Sequence, residues 1–232
     1  MATQLDLQEQ EQLDALKAFW NRHGDLITWT LVLVLGAFAA WNGWNWWQRE
    51  QAVKAGALFE ELDKAAIAAD AERTARVFAD LKERYPRTAF AQQGALLNSK
   101  VQSAKGQGDA AQASLAWAAE HAVEEEVRTI ARLRLAGLQA DAKQYDAALK
   151  TLEGVKGQEF AALAADRRGD ILRAQGKPDQ ARGAYQVAYA GISEKVDYRR
   201  LVEAKLTALG APPGPAASAA GAASAVTPGA AK

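Results

Sequence analysis

The residues in this chain that could do chemistry are few. His23 and His121 are its only histidines, and cysteine is absent. That removes thiolate metal sites, disulfides and cysteine nucleophiles, and leaves a Ser/His/Asp triad or a multi-histidine zinc site almost nothing to be built from. Glu124, Glu125 and Glu126 are consecutive. On a helix they point about 100° apart and cannot converge on one cation, so they read as a charged first turn favoured by the helix dipole. Asp166, Asp170 and Arg173 stand at i, i+4 and i+7, which on a helix makes one polar face. It is either a clamp for a partner chain or a solvated face of ordinary charge pairs. No constellation carries catalysis, and the expectation is a protein that is not an enzyme and holds no cofactor or metal.

The 232 residues carry 28 basic and 28 acidic side chains and a formal charge of zero. A nucleic-acid partner is therefore not expected, because phosphate neutralisation requires a surplus of Lys and Arg on one face. Length predicts one modest domain with appendages.

Leu26 to Gln48 contains no charged residue over 23 positions, against the roughly 20 a helix needs to cross hydrocarbon. Leu31-Val32-Leu33-Val34-Leu35 is purely aliphatic, and Trp41, Trp44, Trp46 and Trp47 crowd the C-terminal end while Trp20 and Trp29 mark the other. Indole rings favour the headgroup level, so the span is read as a single membrane helix in contact with lipid. Ala37-Phe38-Ala39 would serve as a signal-peptidase site, but Asp6, Glu9, Glu11, Asp14 and Asp25 against Lys17 and Arg22 make the wrong flank for a cleaved signal. An uncleaved anchor is the expectation. The basic residues on the two sides do not decide its orientation. Gly36 and Ala40, and likewise Ala39 and Gly43, are four apart. Such spacing permits close approach of another helix, though it also arises wherever alanine and glycine abound in membrane helices.

Beyond residue 48, apolar residues recur three and four apart, as in Ile130, Leu133, Leu135 and Leu138. The fold class is all-α. Gly176 suits the left-handed residue that ends a helix and Pro178 the first turn of the next. Gly169, Leu172, Ala181, Tyr185 and Ala188 match the small-and-bulky pattern of a tetratricopeptide helix pair, and Ala136, Ala148 and Leu152 hold corresponding places, Ala136 and Ala148 lying 33 residues before Gly169 and Ala181. Ala111 and Leu115 imitate the pattern 37 residues before Ala148, and Phe78 with Pro86 only the end of a unit. The expected organisation is 1–25 as a short N-terminal segment, 26–48 as the membrane helix, 49–209 as a tetratricopeptide-like repeat domain and 210–232 as a disordered Ala/Pro/Gly-rich tail. Tetratricopeptide arrays present a groove lined by the first helix of each pair, where Asp166, Asp170 and Arg173 are the expected binding face.

Glu11-Gln12-Leu13, Leu16-Lys17-Ala18-Phe19-Trp20 and Gly24 before the span resemble the ancillary SecYEG translocon subunit family. So do Arg132-Leu133-Arg134-Leu135-Ala136, Asp146 to Leu152, Ala165 to Asp170, Gly176-Lys177 and Ala181 to Tyr185. The resemblance covers residues 9 to 209. It implies a bacterial inner-membrane protein, single-pass, with a cytoplasmic N-terminus and a periplasmic repeat domain. The partners it implies are the SecYEG translocon, a PpiD-type periplasmic chaperone and exported polypeptides. A regulatory scaffold that sequesters one signalling protein is the alternative reading of the same architecture.

Overall fold

The computed structural model describes residues 7 to 212, with side chains from Glu11 onward. The expected tail lies, past Pro212, outside the described residues. Two compact units divide between Lys54 and Ala55. Nine helices and no strand occur among the described residues: α1 (Leu7–Ile67), α2 (Ala71–Arg84), α3 (Ala89–Ala104), α4 (Gly108–His121), α5 (Glu125–Asp141), α6 (Tyr145–Glu153), α7 (Gln158–Ala174), α8 (Pro178–Gly191) and α9 (Tyr198–Ala208).

The first unit consists of α1 up to Lys54. Leu31 to Leu35, Trp41 and Trp46 are all exposed, so no described side chain of this unit shields the apolar surface of the 26–48 stretch. Here is the one described helix long and apolar enough to cross a membrane. The Thr30 hydroxyl donates back to the Leu26 carbonyl at 2.7 Å, which lets that polar group sit in an apolar stretch without an unmet donor.

The second unit starts inside α1. Ala55, Leu62 and Ala65 are buried, and Phe59 packs tilted against Phe90 with ring centroids 5.6 Å apart. The last turns of α1 are thus the first helix of a repeat whose second helix is α2. Pairs α3/α4, α5/α6 and α7/α8 follow, and α9 packs against α8. The sequence pattern exposed two clear units; the structure holds four helix pairs and a final single helix among its described residues.

The repeat is written in the backbone. Ala69, Gly106, Lys143, Gly176 and Gly210 take φ values of +52°, +74°, +61°, +78° and +71°. Each stands just past the end of a first-type helix, and after each the next amide closes the same six-to-one bond. These run from Asp70 to Ala65 O, Gln107 to Gln102 O, Gln144 to Gln139 O, Lys177 to Leu172 O and Ala211 to Leu206 O, at 2.8–3.0 Å. This closure satisfies carbonyls that a helix end leaves unpaired. Ala69 and Lys143 hold the left-handed geometry despite a Cβ, at a cost of about 1 kcal/mol each, so the turn is imposed by the repeat packing as well as by glycine.

These five positions also explain the uneven period. The intervals are 37, 37, 33 and 34 residues: α4 has 14 residues where α6 has 9, and in the last interval a 14-residue α8 is followed by an α9 of only 11 where α7 has 17. Once that is allowed for, Thr74, Phe78 and Leu81 on α2 correspond to Ala111, Leu115 and Ala118 on α4 and to Ala181, Tyr185 and Ala188 on α8, and all nine are buried. Each set puts a small residue or a threonine where helices cross and a bulky one in the gap beside it.

Candidate functional site

Asp166, Asp170 and Arg173 do not form one open face. Asp166 is 2% exposed and Asp170 half-buried, whereas Arg173 points to solvent. The Lys205 ammonium, from α9, lies 2.8 Å from both Asp166 oxygens and 2.8 and 3.0 Å from those of Asp170. The Tyr198 hydroxyl donates to Asp166 at 2.6 Å and the Tyr185 hydroxyl to Asp170 at 2.8 Å. The expectation of a polar clamp is corrected accordingly. A carboxylate this buried requires a counter-charge and hydrogen bonds, and here both come from α8 and α9 rather than from a ligand. Burial, and then the hydrogen bond each donates to a carboxylate, push the Tyr185 and Tyr198 hydroxyls well above the usual phenol range.

The residues read as repeat packing all lie inside the second unit. Ala136, Ala148, Ala181, Tyr185 and Ala188 have no exposed surface, Leu152 and Leu172 are buried, and Gly169 lies directly against the Tyr185 ring. In the first unit, Gly36, Ala39, Ala40 and Gly43 are exposed, and a Cβ at either glycine would meet nothing within 4 Å among the described residues. Of the three consecutive glutamates, Glu125 and Glu126 lie in the first turn of α5, and Glu125 binds Arg128 and Arg132 along its own helix. The His121 ring stacks on Trp117 at 5.4 Å, exposed at the end of α4.

An open surface does exist where first helices adjoin. A groove of about 480 Å³ is lined by α3, α5 and α7, with Leu115 of α4 at its base. Leu96 and Leu133 supply apolar wall, and Lys100, Arg134 and Arg167 are exposed around it. Leu96 and Leu133 stand at one repeat position; the next residue in that series is Asp166, where the apolar pattern breaks and α9 supplies Lys205. Arg134 and Arg167 are likewise one 33-residue repeat apart. A Cβ at Gly137 would lie 4.0 Å from the Arg167 guanidinium, so the bare backbone of α5 leaves room for the arginine to reach across. These groove cations were not singled out in the sequence, although the 33-residue spacing of Arg134 and Arg167 was there to be read.

Residues 17–211 match the tetratricopeptide repeat-like domain family, a stretch that takes in both the apolar span and every helix pair. The ancillary SecYEG translocon subunit of Escherichia coli K12 is 31% identical over 194 residues, which cover 81% of this chain and 89% of that protein. The chain belongs to this family of ancillary subunits. The proteins of the same name from Haemophilus influenzae and Neisseria gonorrhoeae are 29% and 27% identical, over 81% and 88% of this chain and 92% and 98% of their own lengths. The family is a non-catalytic, repeat-built one, and the chain is not an enzyme.

Proposed function

We propose that this protein is an inner-membrane accessory of the SecYEG translocon, anchored by residues 26–48 with its N-terminus in the cytoplasm and its repeat domain in the periplasm. In this reading Gly36, Ala39, Ala40 and Gly43 form the face on which translocon or chaperone helices dock. Close backbone approach there would provide the packing that drives helix association in lipid. The repeat domain holds segments of exported polypeptides or of a PpiD-type chaperone, and releases them unchanged. Binding is reversible, since a client must leave in order to fold.

The observation that supports this most is the extent of the similarity. It begins before the span and ends after α9, so the membrane helix and the repeat body are shared together, and the relatives named for the translocon are matched over about nine-tenths of their length.

Two measurements test it. Purified in mild detergent, the full chain should bring SecYEG subunits with it; recovery of one soluble protein instead would point to the sequestering scaffold. Protease added to spheroplasts should degrade the chain beyond residue 48 while the membrane remains intact. Protection until lysis would overturn the periplasmic placement.

A further inference from the structure

We infer that the groove between α3, α5 and α7 accepts an acidic polypeptide segment, with its carboxylates on Arg134, Arg167 and Lys100 and its apolar side chains against Leu96, Leu133 and Leu138. This rests on the reading of the repeat domain as a polypeptide holder and adds the chemistry of what it holds.

Charge complementarity carries the inference. Arg134 and Lys100 have no ion-pair partner within 4.0 Å among the described residues, and both are exposed on the groove. Arg167 reaches only Asp170, at 3.8 Å, and that carboxylate already takes the Lys205 ammonium and the Tyr185 hydroxyl. Asp141 is the one acidic residue in the lining. The Lys205 ammonium offsets part of the negative charge of Asp166 and Asp170, and the Tyr198 and Tyr185 hydroxyls take up further carboxylate oxygens, which leaves fewer of them to face the groove cations. What remains is a cationic rim over leucine, with two guanidinium forks one repeat apart. An arginine fork binds a carboxylate through two parallel hydrogen bonds. Three cations beside an aliphatic floor suit alternating acidic and apolar side chains of an extended chain. A nucleic-acid backbone would need a longer basic track than this.

The full chain in mild detergent is titrated into a short fluorescein-labelled peptide alternating leucine with glutamate, and into the same peptide with lysine in place of glutamate. The acidic peptide should bind, more weakly as salt rises, and the lysine peptide should not. R134E should weaken the acidic peptide by on the order of tenfold or more. Gly137→Leu should block it by filling the groove; a leucine there also favours the helix, so lost binding with an unchanged melting temperature is a groove effect. Equal binding of the two peptides, or affinity unmoved by both variants, overturns the inference. Binding of anionic lipid vesicles that R134E abolishes, with no peptide binding, also overturns it. SecYEG co-purification is measured on the same preparations. If it persists while the acidic peptide fails to bind, the groove chemistry alone is wrong; if the wild-type chain recovers no SecYEG, the accessory reading fails independently.

Discussion

Gly169 is pressed against the ring of Tyr185: a Cβ built on it would lie 2.5 Å from both Cδ1 and Cε1. The ring has no exposed surface, and its hydroxyl is held by Asp170, so it has nowhere to retreat. The Gly169→Ala variant gains helix propensity worth up to about 1 kcal/mol, but overpacking of this kind costs about 1–3 kcal/mol. Net destabilisation is expected, lowering the melting temperature of the full chain in detergent by a few degrees. Gly183, also helical, has open space around its would-be Cβ, and Gly183→Ala should raise the melting temperature. Equal shifts in the two variants would show that α7 and α8 do not cross as described.

The α7/α8 crossing was legible because Gly169, Ala181, Tyr185 and Ala188 follow the repeat pattern at full strength. Thr74, Phe78 and Leu81 do the same work on α2, yet the longer α4 displaces them from the 33-residue register, and the first helix of their pair is concealed in the end of a 61-residue α1. Asp166 misled for a different reason. Its partner Lys205 is 39 residues away on a helix that has no second member among the described residues. An i, i+4, i+7 pattern states which residues share a helix face; it does not state whether solvent or another helix meets that face.

Lys205 is the counter-charge for two carboxylates, one of them almost wholly buried. Lys205→Met should cost about 3 kcal/mol, the penalty of leaving a buried charge uncompensated. Pairing it with Asp166→Asn removes the stranded charge, and the double variant should recover most of the loss, a non-additivity that chemical unfolding can measure. A single variant as stable as the double would mean that α9 is not held through this pair.

Alkaline solution should act on the same cluster. The folded hydroxyls of Tyr185 and Tyr198 titrate above their unfolded value of about 10. Groups of this sign contribute stability that is fully present below the unfolded pKa and is lost as pH rises beyond it, because the unfolded chain releases protons that the folded chain retains. Unfolding free energy should therefore fall above about pH 10. In the folded chain, part of the phenolate absorbance should lag behind that of the urea-unfolded chain. The lag should shrink in a Tyr185→Phe, Tyr198→Phe double variant. Superimposable titrations of folded and unfolded wild type would contradict the burial described.

In the first unit, Gly36 and Ala40 share one stripe of an exposed helix, and among the described residues none touches the space over Gly36. Substituting both with leucine removes no described contact, so the repeat unit should melt unchanged, while the added bulk keeps a neighbouring helix from approaching closely. Recovery of SecYEG subunits with the purified chain should drop several-fold. Phe38→Leu, two residues along and on the opposite side of the helix, should leave recovery intact and so separates a facial effect from a general change in hydrophobicity. If the double variant retains its membrane partners, the small-residue stripe is a matter of composition, and docking must run through the indole-rich end or through the repeat domain itself.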